Sequence, residues 1–275
     1  MNNIKYFHCT PDRSDYLKLY PNTFHILASA YRIKKFPKIK KYLHLANEVF
    51  IDSGMISAWK KNEIEWSNNQ HFVLEVAQEV NADYVAMLDL PSEPYLLNAN
   101  GLTTDEALKI TIRNAITFLD ATTPAKKVFV IQGWRLQDYH KCIEKYKQLG
   151  ILDLQDIWIG IGSVCMRSPR KDINQLYLYQ DTIIPGLYEV ASFIRKQIPN
   201  HHIHCFGIGK PKWIQELMKI GINSFDSASA SIQVAFNRGE TKVNGPRNDK
   251  IVYQQFGDAM MIQEKKIKEI NNGKQ

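Results

Sequence analysis

The sequence predicts a single eight-stranded α/β barrel, and three observations carry this prediction. The chain has 275 residues, which is near the usual size of one such barrel. Short apolar runs alternate with longer amphipathic segments along most of the chain. The runs are hydrophobic almost throughout, as is typical of strands buried on both faces of a parallel sheet. Eight such strands favour a closed barrel over a doubly wound open sheet, which would normally use fewer strands and a glycine-rich first turn.

Each apolar run has bounds that can be read from the sequence. The predicted strands are Lys5–Cys9, Phe24–Ser29, Glu48–Asp52, Tyr84–Asp89, Lys127–Gln132, Ile157–Gly162, His202–Gly207 and Ile222–Asp226. Apolar residues at helical spacing predict helices over Trp66–Val80, Thr104–Leu119, Leu136–Leu149, Gln180–Gln197 and Lys212–Ile220. Two of these helices are followed by a glycine, Gly150 or Gly221, as is common at a helix C-terminus.

The last part of the chain differs from the strand–helix pattern. Asn237–Asn248 is polar, basic and glycine-bearing, which predicts a loop. Asp249–Asn271 has apolar residues near one face, which predicts a long amphipathic helix. We therefore expect a barrel domain over residues 1–238, and a loop and C-terminal helix packed on the barrel over residues 239–275.

Composition narrows the class of protein. The formal net charge of +7 favours anionic partners, chiefly nucleic acid, although many basic proteins bind none. The four cysteines form no CxxC pair, which argues against a zinc site and a disulfide framework and favours a reducing cytoplasm. The N-terminus lacks the apolar region of a signal peptide, and no apolar run approaches the length of a membrane span.

Polar residues end five of the predicted strands. They are Asp52, Asp89, Gln132, Ser163 with Gly162, and Asp226. A strand-end aspartate is by itself more typical of a turn or helix cap, but in a barrel these ends converge on one mouth, where active sites lie. Three carboxylates there could bind a divalent metal, act as an acid/base pair on a sugar, or supply a nucleophile for an anomeric carbon. The scarcity of histidine at the strand ends disfavours zinc or iron.

Seven segments in a fixed order resemble the motifs of the tRNA-guanine transglycosylase family. They are Ile26–Ile33 (ILASAYRI), Asp52–Met55 (DSGM), Asp89 within LDLPSEP, Val130–Gly133 (VIQG), Gly160–Ser163 (GIGS), Phe206–Gly209 (FGIG) and Ser224–Asp226 (SFD). No single segment is specific, but the ordered set, over roughly residues 5 to 235, is.

The chain departs from this family in ways that favour one branch of it. Bacterial members carry a cysteine-rich zinc site after the nucleophile, whereas no cysteine follows Cys205 here. We therefore expect no zinc subdomain, and the oligomeric state stays open between monomer and dimer. We also expect no tRNA-binding PUA domain after the barrel. The phrases GIGSVCMR, HCFGIG and SFDSAS are more similar to the DpdA-type transglycosylases of phages and bacterial modification islands, which insert 7-deazaguanines into DNA. We therefore favour DNA over tRNA as the substrate.

The resemblance implies a role for each site residue. Asp226 would be the nucleophile, Asp52 the proton-transfer group and Asp89 the reader of the guanine edge. The other residues that would contact the base are Ser53, Gly54, Gln132, Gly133, Gly162, Ser163 and Phe206. The co-substrate would be a free 7-deazaguanine such as preQ0, with no metal and no other cofactor.

Basic residues after two neighbouring strands are candidates for phosphate contacts. They are Arg167, Arg170, Lys171 and Lys210.

Three alternatives remain open at this point. The first is a transglycosylase that acts on tRNA instead of DNA. The second is a metal-dependent aldolase or hydrolase in which Asp52, Asp89 and Asp226 hold the ion. The third is a nucleic-acid-binding protein without catalytic activity.

Overall fold

Eight parallel strands close into one barrel in the order β1 to β8, with β8 pairing back to β1. The structure, a computed structural model, describes residues 4–165, 167, 184–230, 232, 234 and 249–272. Helices connect most of the strands on the outside of the barrel. The predicted fold class, a single (β/α)8 barrel, is confirmed.

The observed strands begin and end close to the predicted limits. They are β1 (Lys5–Cys9), β2 (His25–Ser29), β3 (Glu48–Asp52), β4 (Tyr84–Ala86), β5 (Lys126–Ile131), β6 (Trp158–Ile161), β7 (His202–Cys205) and β8 (Ser224–Ser227). The clearest difference is β4, which ends three residues before Asp89. The chain then follows an irregular path to Pro94, so Asp89 lies on a loop above the strand.

The observed helices are α1 (Ala30–Lys35), α2 (Met55–Trp59), α3 (Gln70–Glu79), α4 (Pro94–Ala99), α5 (Thr104–Asp120), α6 (Leu136–Gln148), α7 (Leu187–Gln197), α8 (Pro211–Ile220) and the C-terminal helix (Asp249–Asn271). The sequence did not predict α1, α2 and α4. Short 3₁₀ segments span Asp15–Lys18, Pro37–Leu45, Ile64–Asn68 and Ile151–Asp153.

Two predicted helices differ from the observed ones. The segment Trp66–Val80 is divided between a 3₁₀ turn and α3, which meet at Asn69. The predicted helix Gln180–Gln197 is helical from Leu187, because Pro185 and the extended Gly186 precede its first turn. Residues 180–183 lie outside the described part of the chain.

The barrel interior is filled by aromatic side chains. The Phe7 ring meets the Phe50 ring edge to face at 5.4 Å, and the His204 ring lies 5.1 Å from that of Phe50. At the N-terminal end, the His202 ring stacks on Trp158 at 3.7 Å. Such rings bury large areas and fix their own orientation through edge and stacking contacts. The interior is therefore a packed core, and a cavity opens above it at the C-terminal mouth.

The C-terminal helix covers the outer face of β1. Its Met260 side chain is fully buried, and Gln263 Nε2 donates to the Gly209 carbonyl at 2.8 Å. On the same side, His8 Nε2 lies 3.0 Å from Glu264 Oε1. The predicted amphipathic helix thus packs on the barrel, while the predicted loop Asn237–Asn248 lies outside the described residues. Within the described chain, no helix is both long and apolar enough to cross a membrane.

The packing of the C-terminal helix gives a testable prediction. We expect Met260→Ala to lower the free energy of unfolding by about 2–4 kcal/mol, because it leaves a cavity where a buried side chain was. Met261 is 42% exposed, so Met261→Ala is the matched control and should change stability by less than about 0.5 kcal/mol. Urea denaturation measures both. Equal effects of the two substitutions would contradict the packing described here.

Candidate active site

A cavity of about 240 Å³ opens at the C-terminal mouth of the barrel, and every strand or the loop after it contributes to its wall. Nine of the ten residues predicted to act on or bind the base line it: Asp52, Ser53, Gly54, Asp89, Gln132, Gly162, Ser163, Phe206 and Asp226. Strand-end residues that were far apart in sequence therefore share one small volume.

Asp226 lies on β8, where it pairs in register with Phe7 of β1. Its side chain is 5% exposed. Oδ1 accepts the backbone N–H of Gly207 at 3.0 Å and lies 3.1 Å from His204 Nε2, while Oδ2 accepts the thiol of Cys9 at 3.2 Å. The Gly207 amide reaches Oδ1 from a left-handed backbone with φ of +75°, a conformation that glycine adopts at little cost. The two oxygens of Asp226 therefore have different partners.

Asp52 ends β3 and accepts the backbone N–H of Gly54 on Oδ2 at 3.1 Å. Burial, together with the nearby Asp89 and Asp226 carboxylates, raises the pKa of Asp52 to about 7. Desolvation and like charges both disfavour an ionised carboxylate. A carboxyl group with a pKa near neutrality can both give and accept a proton, as a general acid/base requires.

Asp89 accepts a hydrogen bond from the side-chain amide of Gln132. Burial raises the pKa of Asp89 to about 6, against the lowering effect of this hydrogen bond. The other end of the Gln132 amide, Oε1, accepts the Ser163 hydroxyl at 2.6 Å. The amide is thus held at both ends, with its nitrogen toward the carboxylate.

Glu93, which the sequence analysis did not single out, completes this network behind the cavity wall. It is fully buried, and its Oε2 lies 2.7 Å from the Ser163 hydroxyl. The Ser163 oxygen also accepts the Ser92 backbone N–H at 2.8 Å. The Ser163 hydroxyl has one hydrogen. If it donates this hydrogen to Gln132, its contact with Glu93 is a hydrogen bond only when Glu93 is protonated and donates. Burial raises the pKa of Glu93 and favours this neutral form.

Gly162 leaves the space that Gln132 occupies. A Cβ atom at this position would lie 2.2 Å from Gln132 Nε2, so only glycine permits the amide to lie across the strand end. Gly133 is the one predicted base-binding residue that does not line the cavity. It packs instead against α6, where a Cβ would lie 2.5 Å from the Tyr139 backbone nitrogen.

The predicted phosphate contact at Arg167 is wrong. The side chain is 2% exposed, and its guanidinium donates to the carbonyls of Ser163, Gly133, Trp134 and Pro185. It therefore ties the loop after β6 to the loop after β5, and each of its three guanidinium nitrogens donates to a backbone carbonyl. Sequence proximity to a glycine-rich turn could not distinguish this anchoring role from a surface role.

The remaining phosphate candidates divide into two groups. Lys210 is exposed at the start of α8, with Nζ 4.2 Å above the Trp213 ring. Arg170 and Lys171 lie outside the described residues.

Two further residues beside Asp226 were not predicted as site residues. Cys9 ends β1 at the mouth, so the strand-end criterion could have found it had thiols been counted. His204 points into the barrel and contacts Asp226 from below; only the register of β7 against β8 reveals this. In the described part of the chain, no three His, Cys, Asp or Glu side chains are placed to hold a metal ion.

The raised pKa of Asp52 predicts a pH dependence of stability. The folded protein holds a proton that the unfolded chain releases near the ordinary pKa of 3.8. The free energy of unfolding should therefore fall as the pH rises from about 4 to about 7. In Asp52→Asn this decrease should be smaller by on the order of 1–3 kcal/mol.

Denaturation at pH 4, 5.5 and 7.5 measures the effect, and Asp120→Asn, at an exposed position, is the control. Parallel pH curves for the Asp52 variant and the wild type would refute the shifted pKa.

The sequence matches a known protein family over the residues that form most of the cavity wall. The family model for DpdA, DeoxyPurine in DNA protein A, matches residues 26–202. This match covers more than half of the chain and includes Asp52, Asp89, Gln132 and Ser163, while Asp226 follows it.

Curated relatives point in the same direction. The chain is 27% identical over 240 residues to the tRNA-guanine(15) transglycosylase of Saccharolobus solfataricus. The aligned region covers 82% of the chain and 44% of the relative. The chain is 24% identical over 237 residues to that of Thermococcus kodakarensis, where the aligned region covers 83% and 37%. The chain thus spans less than half the length of either relative. The match, the closed barrel and the cavity confirm the predicted resemblance: this chain belongs to the DpdA family, within the tRNA-guanine transglycosylase superfamily.

Proposed function

We propose that this protein is a base-exchange transglycosylase that replaces guanine in DNA with a 7-deazaguanine such as preQ0. The observation that carries the proposal is the convergence of Asp52, Asp89 and Asp226 on one cavity, each with a different environment. One carboxylate that can attack, one that can move a proton and one that can bind a base are what this reaction needs.

The size of the cavity supports a single base as the bound group. Its volume of about 240 Å³ is below the roughly 300–1,000 Å³ of pockets that take drug-sized ligands. A purine stacked against Phe206 would leave the sugar at the opening, beside Asp226. The target nucleotide must leave the base stack to enter, as in other enzymes that act on bases within a duplex.

In the first step, an oxygen of Asp226 attacks C1′ of the target nucleotide. The new C1′–O bond forms as the C1′–N9 bond breaks, and the sugar becomes covalently attached to the enzyme. The departing guanine takes a proton from protonated Asp52. The pKa of Asp52 near 7 makes this proton available at neutral pH.

In the second step, the free 7-deazaguanine occupies the vacated cavity. Its N9–H gives its proton to the Asp52 carboxylate. N9 then attacks C1′ from the face that guanine left, opposite the Asp226 oxygen, and the C1′–O bond to Asp226 breaks. Both acids return to their starting forms, so the cycle consumes no cofactor.

Recognition of guanine follows from the hydrogen-bonding groups in the cavity. The Asp89 carboxylate accepts hydrogen bonds, and guanine offers N1–H and an exocyclic amine on one edge. Gln132 Nε2 donates one hydrogen to Asp89, and its second amide hydrogen is available to O6. Adenine lacks a donor at N1, so it would leave a buried carboxylate unpaired, which costs about 1–3 kcal/mol or more.

DNA is the favoured nucleic acid because the matching family model carries the name DeoxyPurine in DNA protein A. The second candidate is tRNA, since the curated relatives carry tRNA-guanine(15) transglycosylase as their name. Lys210, exposed at the start of α8, is our candidate among the described residues for contact with a phosphate of either. We propose the cytoplasm as the location of the reaction.

Gly162 offers a test of the base-binding cavity. In Gly162→Ala the new methyl group should displace Gln132 and raise KM for the free base at least tenfold. Gly101 is the control, because no atom lies within 4 Å of a Cβ there and its φ is +65°. Gly101→Ala should lose about 1 kcal/mol of stability and keep the wild-type KM. Steady-state exchange kinetics measure both; an unchanged KM in Gly162→Ala would argue against base binding at Gln132.

The direct test of the proposed function is an exchange assay. The protein is incubated with labelled guanine and with preQ0, in the presence of duplex DNA, single-stranded DNA or unmodified tRNA. We expect incorporation into DNA, and its loss by at least 10³-fold in Asp226→Asn, with DNA binding retained. Incorporation into tRNA alone would overturn the choice of DNA, and incorporation into none of the three would overturn the proposed function.

A further inference from the structure

A chain of hydrogen bonds leads from Asp226 into the barrel, away from the cavity. His204 Nε2 lies 3.1 Å from Asp226 Oδ1, and His204 Nδ1 lies 2.9 Å from the Ser224 hydroxyl. The same hydroxyl lies 2.9 Å from His202 Nε2. Neither the comparisons nor the proposed reaction assigns a role to these three residues.

Strand geometry explains why the chain forms. His202 and His204 are two apart on β7, so both point to the same side of the sheet, which here is the barrel interior. Ser224 and Asp226 have the same spacing on the neighbouring strand β8, and His204 pairs with Ser224 in the register. The four side chains therefore alternate across two adjacent strands.

The partner at each end fixes the direction of these hydrogen bonds. An ionised carboxylate only accepts, so His204 must present Nε2–H to Asp226. In a neutral ring Nδ1 then has no hydrogen and accepts from the Ser224 hydroxyl. The Ser224 oxygen in turn accepts from His202 Nε2–H, and burial, which lowers the pKa of His202 to about 3, keeps that ring neutral. All three donors point toward Asp226.

Packing keeps the His204 ring in place. It is fully buried and is surrounded by the rings of Phe50 at 5.1 Å, Phe206 at 4.5 Å and Phe7 at 6.0 Å. Rotation of the ring would require these aromatic neighbours to move.

The two oxygens of Asp226 are consequently unlike. Oδ1 is held by two N–H donors, His204 and the Gly207 backbone. Oδ2 is contacted by the Cys9 thiol at 3.2 Å, and burial and Asp226 raise the pKa of Cys9 well above its ordinary value, so it remains a thiol. A thiol is a weak donor, which leaves Oδ2 with the greater share of available electron density.

We infer that His204 is a positioning residue for Asp226: with the Gly207 amide it holds Oδ1, which leaves Oδ2 as the atom that attacks C1′, while Ser224 and His202 fix its tautomer. The inference rests on the proposed function, because it assigns Asp226 the role of nucleophile. His204 keeps its proton throughout. The Oδ2–C1′ bond forms and the C1′–N9 bond breaks with no proton passing through the ring.

A spectroscopic experiment tests the hydrogen-bond direction without any substrate. Two-dimensional ¹H–¹⁵N spectra of protein labelled at histidine, assigned with the variant His204→Phe, report the protonation of each ring nitrogen. We expect a neutral His204 with hydrogen on Nε2, and loss of this preference in Ser224→Ala. A neutral ring with hydrogen on Nδ1, or an imidazolium, would overturn the inference.

A kinetic experiment tests the consequence for the reaction, using the nucleic acid that is active in the exchange assay. We expect His204→Phe to slow formation of the covalent adduct by on the order of 10–100-fold, with little change in KM for the free base. His204→Gln should recover most of the rate, because its side-chain amide can place an N–H near Oδ1. His8→Phe is the control: His8 is also buried, on the outer face of β1, so this variant should lose stability but keep the wild-type rate.

The outcomes separate the inference from the proposed function. If the wild type exchanges guanine and His204→Phe matches its rate, the inference fails and the proposed function stands. A rate lost equally in His204→Phe, His204→Gln and His8→Phe would mean a structural role only, which also overturns it. If the wild type exchanges no guanine, the proposed function fails and the inference falls with it, whatever tautomer the spectra show.

Discussion

Three carboxyl groups share one small cavity at the barrel mouth, and their burial governs the rest of the site. Burial raises the pKa of Asp89 to about 6, and burial together with the nearby Asp89 and Asp226 carboxylates raises that of Asp52 to about 7, so the site is not fully ionised at neutral pH. Each group is then stabilised in its own way: Asp52 by the Gly54 amide, Asp89 by Gln132, and Asp226 by the Gly207 amide and His204. These partners separate three acids of one residue type into groups with different chemistry.

The barrel supplies the rigidity that this arrangement requires. The parallel register places Asp226 beside Phe7 and His204 beside Ser224, and the packed rings below the mouth leave little freedom to move. Behind the wall, neutral Glu93 and Ser163 hold the Gln132 amide, and buried Arg167 joins two loops. A site built on strand ends with such a supporting layer can keep its geometry while the base changes.

The sequence predicted the barrel because strand periodicity and strand count are local signals, and it predicted most of the cavity because barrel strands end at one mouth. It could not show that β4 stops at Ala86 or that α1 and α2 form, since such short elements depend on tertiary packing. Arg167 was misassigned because charge favours an exposed position unless buried carbonyls surround it, and such carbonyls leave no trace in a sequence. His204 and Glu93 became visible only when neighbouring strands and loops were aligned in space.

The central claim is that a sugar becomes attached to Asp226 during base exchange. Intact-protein mass spectrometry after incubation with an oligonucleotide, followed by proteolysis and peptide sequencing, locates such an attachment directly. The account predicts an adduct on the peptide that contains Ser224–Ser227, at Asp226, which disappears when excess free base is added. An adduct on Asp52 or Asp89, or exchange that proceeds with no adduct under denaturing conditions, would contradict it.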